Sequence, residues 1–396
     1  MSANSGSARQ PKDPVHLGNW RQAPHCRWAF NHVREIVPAA PILRDRRAKR
    51  PLRDTSTALD GIRFTGHSSA TLTAAQWLDQ GAVDAVVALH GDRVVHEWYA
   101  AGQGPALPHI LMSVSKSVLG LLAGAVLSET GTRADTPVVS VLPELAGSAW
   151  DGATLRQALD MQVSIRFEEN YLATDGAIIE YRKAQGWNPL GPGEQPSDLR
   201  TFFPRLRAGE GEHGGPFHYV SPNTDMMAWA LERVSGTRYN ELLTSVLWQP
   251  MAAEEDAYIT VDRLGAPRAA GGVCATARDL ARLGLVVCQE GTLAGRQVLP
   301  ADWVRDTLGG GDRDAFARGD FRDKLPGAPI SYRNYCYWNA CAEPYLFGVG
   351  IHGQAWVIDP QRALVVAVQS SHGDPQPDGA IANAIGFFSA VRDHLG

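Results

Sequence analysis

Residues 112–127 read MSVSKSVLGLLAGAVL, an apolar helix whose first turn carries serines and one lysine. The chain contains five lysines, and Lys116 stands three residues after Ser113. Side chains three apart on a helix share a face, with Cβ atoms about 5–6 Å apart. A partly buried lysine there has a lowered pKa, and its neutral amine can accept the serine proton. We therefore predict a nucleophile, Ser113, and its base, Lys116; the alternative is that Lys116 is a surface charge.

The composition is that of an ordinary globular protein. The 396 residues are 44% hydrophobic and 20% charged, and a formal net charge of −5 gives no reason to expect nucleic acid or an anionic membrane as partner. The sequence shows neither the apolar segment of a secretory signal nor a run of about 18 apolar residues. Five cysteines, an odd number, favour reduced thiols in the cytoplasm. We expect no metal site, because Cys336 and Cys341 lack further ligands.

The hydrophobic pattern around this segment predicts a sheet flanked by helices. Residues 83–99, VDAVVALHGDRVVHEWY, predict a β-hairpin that turns at His90-Gly91-Asp92. Residues 345–371, YLFGVGIHGQAWVIDPQRALVVAVQSS, predict two long strands that turn at Asp359-Pro360. Apolar spacing predicts helices over 274–291, 300–308 and 379–395.

The middle of the chain has a different character. Residues 131–265 contain short helical patterns that are separated by Gly- and Pro-rich loops. This order of elements predicts an α/β (α+β) fold, an antiparallel sheet flanked by helices with an inserted, mostly helical domain. We predict an α/β domain over residues 16–130 and 266–396, the helical domain with a lid loop over 131–265, and a disordered tail over 1–15.

A second candidate for chemistry is the segment PFHYVSPNTD at residues 216–225, which opens a helix. A tyrosine in a loop just before a helix, Tyr219, can supply a phenol or phenolate for proton transfer. The alternative is that Tyr219 is a half-buried packing residue and that Ser221 to Asp225 only cap the helix. The segment by itself leaves both interpretations open.

A third candidate is the glycine-rich strand segment GVGIHG at residues 348–353. Glycines inside a strand often mark a place where a ligand approaches the backbone closely. Here they would let substrate lie along the strand, with a backbone N–H directed at an oxyanion. A β-bulge is the alternative explanation of the same glycines.

Taken together, Ser113-x-x-Lys116, then Tyr219, then a glycine-bearing strand near the C-terminus resemble the serine β-lactamase and penicillin-binding protein superfamily. The closest resemblance is to the class C-like branch of this superfamily, which includes carboxylesterases. Within it, six segments are similar to 6-aminohexanoate-dimer hydrolases: HILMSVSKS, VLPELAGS, LDMQVSI, SPNTD, GGVCATARDLARLG and GIHGQAWVIDP. The similarity runs from about residue 17 to the C-terminus. It implies a β-lactamase/transpeptidase-like fold with the site between two domains, and an acyl-enzyme mechanism without a cofactor.

The resemblance also implies a role for each matching residue. Ser113 would be the nucleophile, Lys116 its base, and Tyr219 the group that moves a proton to the leaving amine or alcohol. The backbone N–H groups of Ser113 and Ile351 would form the oxyanion hole. The residues expected to bind substrate are Tyr171, Trp187, Ser221, Asn223, Gly350 and His352. Of these, the aromatic residues Tyr171 and Trp187 match the substrate-covering loop of the similar hydrolases.

The chain departs from the superfamily at two motifs. The usual K-T-G aligns with Gly348-Val349-Gly350, which lacks the cation that grips the carboxylate of a β-lactam. An alternative alignment places His352-Gly353-Gln354 there, which restores a cation and loses the final glycine. The usual Y-x-N reads Tyr219-Val220-Ser221, with Asn223 two positions away. Both departures favour ester or amide hydrolysis over β-lactam hydrolysis.

The sequence therefore predicts a serine hydrolase that cleaves small carboxylic esters or linear amides of the 6-aminohexanoate-oligomer type through an acyl-Ser113 intermediate. A β-lactamase or D-alanyl-D-alanine carboxypeptidase is the alternative enzyme. An alternative of another class is a catalytically inactive binding module on the same fold. The predicted partner is a small-molecule substrate, with no nucleic acid and no membrane, and we expect a homodimer.

Overall fold

The computed structural model of the chain describes residues 13–48, 51–54, 59–80 and 82–396. The predicted disordered tail, residues 1–15, lies outside the described residues up to position 12.

Strands and helices are numbered here in chain order. The strands are β1 (Ala39–Ile42), β2 (Arg53–Asp54), β3 (Arg63–Thr65), β4 (Thr71–Thr73), β5 (Val83–His90), β6 (Arg93–Tyr99), β7 (His109–Ile110), β8 (Ala257–Thr260), β9 (Val273–Ala275), β10 (Thr292–Leu293), β11 (Arg296–Gln297), β12 (Ile330–Arg333), β13 (Cys336–Asn339), β14 (Tyr345–Gly350), β15 (Gln354–Asp359) and β16 (Leu364–Ser370). The helices are α1 (Cys26–Ala29), α2 (Ala74–Asp79), α3 (Val114–Thr130), α4 (Val138–Val141), α5 (Leu155–Leu159), α6 (Ala177–Ala184), α7 (Leu199–Phe202), α8 (Ser221–Ser235), α9 (Tyr239–Leu242), α10 (Ala277–Cys288), α11 (Ala301–Leu308), α12 (Arg313–Ala317) and α13 (Ala380–Leu395).

Within the residues that the structure describes, the main sheet has eight strands in the order β12-β13-β14-β15-β16-β5-β6-β2. Neighbouring strands are antiparallel, except that β2 runs parallel to β6. The predicted hairpin is confirmed: β5 pairs with β6 across a turn at Gly91, whose φ of 58° is the left-handed conformation that glycine adopts without strain. The antiparallel sheet expected from the sequence is therefore present.

The prediction of two long strands over residues 345–371 is wrong, because the segment forms three. The first strand breaks at Ile351–Gly353, a single 3₁₀ turn, and β15 returns antiparallel to β14. His352 with φ 62° and Gly353 with φ 89° both take left-handed conformations, which an extended strand cannot continue through. The predicted turn after Asp359 is confirmed, since it joins β15 to β16.

Helices cover the sheet and form the inserted region. α10 packs against β5, β15 and β16, while α13 packs against β3, β15 and β16. In the inserted region α8 packs against α3, α4 and α5, so α3 lies between the inserted helices and strands β13 to β15. Among the described residues, no helix combines the length and apolar character that crossing a bilayer requires.

A second sheet joins the N-terminal segment to the beginning of α3. Its order is β1-β8-β9-β7, and all its pairs are antiparallel. The predicted domain boundary at residue 265 falls between β8 and β9. A small apolar core covers this sheet, and it contains Trp20, Phe30, Met112 and Trp187. The N-terminal segment is therefore packed directly behind the start of α3.

Helix α3 is buried along most of its length, and its glycines allow close packing. A Cβ on Gly120 would lie 1.7 Å from the carbonyl oxygen of Asn334, and one on Gly124 would lie 2.1 Å from the indole of Trp303. The Trp303 indole N–H in turn donates a hydrogen bond to the Gly120 carbonyl at 2.9 Å. These small residues fix the distance between α3 and its neighbours.

Candidate active site

The predicted nucleophile lies at the first turn of α3. Ser113 is the residue before the helix begins, and the residue before it, Met112, has a φ of 45°. A non-glycine residue in this left-handed region is strained, and such strain is held in place only by surrounding structure. Lys116 lies one turn further on, is 1% exposed, and its Nζ is 2.9 Å from Ser113 Oγ. The structure thus brings the predicted pair into direct contact.

Three oxygen atoms surround the amine of Lys116. Besides Ser113, its Nζ contacts Ser221 Oγ at 3.0 Å and the Ala270 carbonyl oxygen at 2.9 Å. The Ser221 hydroxyl donates to Glu169 Oε1 at 2.6 Å, so Ser221 Oγ must accept from Lys116. A carbonyl oxygen can only accept as well. A neutral amine has two N–H bonds, so its lone pair is left pointing towards Ser113.

The protonation state of Lys116 is set by its surroundings. Burial, which removes water from the ammonium, lowers the pKa of Lys116 to about 7. The charge of Arg268 acts in the same direction as burial, while the carboxylates of Glu169 and Asp225 oppose the shift. A large share of the lysine is therefore a neutral amine at neutral pH, as a proton acceptor must be.

Tyr219 completes the group around Ser113. It is 8% exposed just before α8, and the Lys116 Nζ lies 4.8 Å from the centre of its ring. Burial raises the pKa of Tyr219, although a hydrogen bond to Ser113 opposes the shift. The side chain is a phenol at neutral pH, not a phenolate, and is equipped to give a proton.

A cavity of about 500 Å³ opens at this cluster. Ser113, Tyr171, Tyr219, Gly350 and Ile351 line it on the side of the predicted chemistry. The remaining wall is mostly apolar and includes Phe321, Leu325, Ile330, Tyr337, Phe347, Val349, Ile381 and Ile385. The volume is that of a small-molecule site, and the lining favours an alkyl or aryl group.

The strand that ends at Gly350 comes very close to the first turn of α3. A Cβ on Gly350 would lie 2.9 Å from the Leu111 carbonyl oxygen and 3.0 Å from the Met112 Cβ. The absence of a side chain therefore lets the strand lie against the residues that precede Ser113. The next residue, Ile351, is also on the cavity wall.

His352 was predicted to bind substrate, and the structure places its ring behind the cavity wall. The side chain is 2% exposed, and the ring packs edge-on against Phe30 at 5.0 Å. Burial lowers the pKa of His352 to about 4, so the ring is neutral. Its Nδ1 donates to the His372 carbonyl oxygen at 2.7 Å, since a carbonyl can only accept. This bond holds the left-handed turn that follows Ile351.

The other predicted substrate-binding residues lie in different surroundings. Tyr171 and Gly350 are on the cavity wall, and Ser221 is in the lysine network. Trp187 is 3% exposed, packs against Trp20, and donates to Thr260 Oγ1 at 3.2 Å. Asn223 is fully buried, and its Oδ1 accepts from the Trp150 indole at 2.8 Å. Neither Trp187 nor Asn223 is among the residues that line the large cavity.

Three charged residues near the site were not found from the sequence. Glu169 contacts Ser221 through both oxygens, and Asp225 binds the Ala270 N–H at 2.7 Å and Arg268 Nη1 at 2.8 Å. Asp225 follows Ser221 by four residues on one helix face, a spacing that signals its position. Glu169 precedes Tyr171 by two residues, which was a weaker signal. Nothing local to Arg268 indicated its role.

A sequence profile of the Beta-lactamase family matches residues 74–388. A 6-aminohexanoate-dimer hydrolase from Paenarthrobacter ureafaciens is 38% identical over 360 residues, which cover 91% of this chain and 88% of that protein. A solved structure from Bacillus anthracis, provisionally named a 6-aminohexanoate-dimer hydrolase, shares the fold with a TM-score of 0.89 and 24% identity over 98% of each chain. A family VIII carboxylesterase, 14% identical, has a TM-score of 0.60 over 81% of this chain and 95% of its own.

Proposed function

The chain belongs to the beta-lactamase family, and from that premise we propose that it is a serine hydrolase that cleaves small carboxylic esters and linear amides through an acyl-enzyme on Ser113. The observation that carries the proposal is the contact of 2.9 Å between a buried Lys116 amine and Ser113 Oγ. Retention of this pair together with Tyr219 argues against a catalytically inactive binding module.

Acylation begins with proton transfer within the cluster. The lone pair of neutral Lys116 takes the hydroxyl proton of Ser113, and the serine oxygen attacks the substrate carbonyl. As the tetrahedral intermediate collapses, the phenol of Tyr219 gives its proton to the leaving alkoxide or amine. The Lys116 ammonium then returns a proton to Tyr219, so the cluster ends with the protonation states it began with.

The negative charge that develops on the carbonyl oxygen needs hydrogen-bond donors. We assign this role to the backbone N–H groups of Ser113 and Ile351, which come from the first turn of α3 and from the turn after β14. Both residues line the cavity, and Gly350 brings the two segments close together. Ser113 follows the strained residue Met112, and Ile351 precedes the strained residue His352. The two N–H donors are therefore fixed before substrate binds.

Hydrolysis of the acyl-enzyme reverses these roles. A water molecule takes the place of the leaving group. As it attacks the acyl carbonyl, Tyr219 accepts its proton while passing the phenol proton to the neutral amine of Lys116. The proton then passes to Ser113 Oγ when the ester bond breaks. The acid product leaves through the cavity, and the resting enzyme is restored.

The apolar cavity supports esters and linear amides with an alkyl or aryl group as substrates. The relative from P. ureafaciens is named for an amide dimer, and a carboxylesterase shares the fold. The segment that aligns with the third β-lactamase motif, Gly348-Val349-Gly350, offers no side-chain cation for a β-lactam carboxylate. In the alternative alignment His352 is neutral and behind the wall, so it offers none either.

Several wider predictions accompany this function as proposals. We propose a division into an α/β domain, residues 16–130 and 266–396, and an inserted helical domain, residues 131–265. We also propose that the enzyme works in the cytoplasm as a homodimer. The five cysteines are free, which agrees with a reducing compartment. Light scattering at several protein concentrations would determine the oligomeric state.

Hydrolysis assays on wild type and Ser113→Ala test the proposal. The substrates are p-nitrophenyl butyrate, the linear 6-aminohexanoate dimer and nitrocefin, and Ser128→Ala, an exposed serine at the far end of α3, is the matched control. We expect ester turnover that falls by about 10⁴-fold in Ser113→Ala only. Dimer cleavage would add amidase activity, and rapid nitrocefin turnover would favour a β-lactamase. Turnover that survives Ser113→Ala would overturn the mechanism.

A further inference from the structure

A second, smaller cavity of about 30 Å³ lies beside the catalytic one. Tyr171 and Ile351 line both cavities, so Tyr171 forms part of the wall between them. The volume is enough for one or two water molecules or for a small polar group. The lining is unlike the apolar wall of the large cavity, because it includes Arg21, Arg182 and Arg268.

The small cavity contains a polar side chain without a partner. Gln185 is fully buried and lines the cavity, yet within the described part of the chain neither its amide oxygen nor its amide nitrogen has a hydrogen-bond partner. Buried polar groups are almost always paired, and leaving one unpaired is unfavourable. A molecule in this cavity, solvent or ligand, is therefore expected to bind Gln185.

The charges around the cavity do not balance. Arg268 is paired with Asp225. Glu169, whose carboxylate also lines the cavity and opposes the lowering of the Arg182 pKa, is bonded to Ser221 through both oxygens. In the ranges that the structure describes, neither Arg21 nor Arg182 has a carboxylate within 4.0 Å. Their recorded hydrogen bonds go to neutral oxygens.

Arg182 Nη2 donates to the Tyr171 carbonyl at 3.1 Å, and Arg21 Nη2 donates to Asn188 Oδ1 at 2.5 Å. Among the described residues, Arg21 Nε is buried without a hydrogen-bond partner. Burial and the neighbouring charges of Arg182 and Arg268 lower the pKa of Arg21, the direction expected for crowded cations. An anion in the cavity would relieve this repulsion.

We propose that Arg21, Arg182 and Gln185 form a subsite for a carboxylate of the substrate, which becomes accessible when the loop that carries Tyr171 moves aside. The loop is suited to move, since Leu172 is 72% exposed and residues 174–177 are exposed. The inference rests on the proposed hydrolase function and narrows it. The preferred ester or amide has an apolar group on one side of the scissile bond and a carboxylate on the other; a free ammonium group is disfavoured.

Matched substrates test this preference. In the first pair, mono-p-nitrophenyl adipate, which has a carboxylate on the acyl side, is compared with the neutral p-nitrophenyl hexanoate. In the second pair, p-(butyryloxy)benzoate, which has a carboxylate on the leaving group, is compared with the neutral phenyl butyrate. The p-nitrophenyl ester of γ-(trimethylammonio)butyrate is the cationic counterpart. We expect kcat/KM for the carboxylate ester to exceed that of its neutral partner by about tenfold or more in one pair. A ratio near one in both pairs, or a preference for the cation, overturns the proposal.

Variants separate a built subsite from a general electrostatic effect. Arg182→Gln and Arg21→Gln should each lower the carboxylate-to-neutral ratio about tenfold, whereas Arg182→Lys should retain most of it. The control is Lys183→Gln, since Lys183 is the next cation on α6 but is bound to Glu180 and Glu194 outside the cavity. Because the readout is a ratio, damage common to both substrates cancels. An equal loss in Lys183→Gln would reject the subsite.

Binding to Ser113→Ala makes the test independent of turnover. Trp20 and Trp187 lie 5.5 and 5.8 Å from the Arg21 guanidinium, so their fluorescence reports on an anion there. If wild type hydrolyses no ester, the proposed function fails, and this titration still decides the subsite. Binding of the adipate monoester at least tenfold tighter than the hexanoate ester supports it, and equal binding overturns it.

Discussion

The hydroxyl of Ser221 accepts a hydrogen bond from Lys116 at 3.0 Å because Glu169 holds the Ser221 proton. The Glu169 carboxylate can only accept hydrogen bonds, so it fixes the direction of the hydrogen bond between Ser221 and Lys116. With the Ala270 carbonyl accepting the other N–H, Ser113 Oγ is the hydrogen-bond partner that remains, within the described part of the chain, for the lone pair of the neutral amine. Glu169 and Ser221 are positioning residues in this arrangement, since neither lines the large cavity.

Removing the Ser221 hydroxyl should therefore slow acylation without much effect on substrate binding. For Ser221→Ala we expect kcat to fall by about 10- to 100-fold with KM nearly unchanged, since proton transfer is less well oriented. Steady-state kinetics on a neutral p-nitrophenyl ester measures both constants. Ser235→Ala, at the other end of α8, is the control and should match wild type. A change confined to KM would show that Ser221 contacts substrate instead.

The dependence of activity on pH should follow Lys116. Burial lowers its pKa to about 7, and only the neutral amine accepts the Ser113 proton. Below that pKa the lysine is protonated, so kcat/KM for a neutral ester should rise as pH increases through about 7. A pH–rate profile on p-nitrophenyl butyrate measures this midpoint. A flat profile from about pH 5 to about pH 9 would contradict the assignment of the base.

Glu169→Gln should move that midpoint in a definite direction. The carboxylate of Glu169 raises the pKa of Lys116 against the effect of burial. Without its charge the pKa falls further, so the rise in kcat/KM should shift to lower pH. The profile of Glu180→Gln, a surface carboxylate bound to Lys183, is the comparison and should keep the wild-type midpoint. A shift to higher pH in Glu169→Gln would mean that another group titrates.

His352 should act through the turn that it holds. Asparagine tolerates the left-handed conformation, and its side-chain amide can donate to the His372 carbonyl. Alanine is disfavoured in that conformation and has no side-chain donor. We expect His352→Ala to lose about 100-fold in kcat and His352→Asn to lose about tenfold or less, because removal of one oxyanion donor costs at least 100-fold. Thermal melting of both variants separates this effect from unfolding. Equal losses in the two variants would argue against the positioning role.

Close packing of α3 makes a prediction about stability. A Cβ on Gly120 would lie 1.7 Å from the Asn334 carbonyl oxygen, a distance that no small adjustment relieves. Gly120→Ala should lower the free energy of unfolding by about 3 kcal/mol, the upper end of the range for overpacking. Urea denaturation followed by fluorescence measures it. Gly104→Ala, where nothing lies within 4 Å of the added Cβ, should stay close to wild type.

The elements with strong local patterns could be predicted from the sequence. The hairpin at Gly91, the buried helix after Ser113 and the C-terminal helix follow from hydrophobic period and turn residues. The break at His352 could not, because a non-glycine residue in the left-handed region is held by tertiary contacts, here the His372 carbonyl and Phe30. Strands β12 and β13 were missed, since their short aromatic sequences show no clear alternation.

The same distinction applies to the site. Ser113 and Lys116 are one helical turn apart, so spacing alone predicts their contact. Glu169, Ser221 and Ala270 come from three separate segments, and only the folded chain brings them to the amine. Asn223 shows where motif spacing misleads. Its position in the motif predicts contact with substrate, but its side chain is buried and bonded to the Trp150 indole. Sequence spacing predicts pairs within an element, whereas networks between elements need the structure.

The difference between the buried helix α3 and the exposed loop at residues 172–177 has a consequence for how this enzyme can change. Ser113 and Lys116 are fixed by a core helix that tolerates little substitution, as Gly120 and Gly124 show. The arginine at position 182 lies instead on a short helix next to an exposed loop. Substitutions near Arg182 can therefore change the substrate preference, in evolution or in the laboratory, while Ser113 and Lys116 keep the same reaction. A library restricted to this loop would sample new substrates with little risk to the fold.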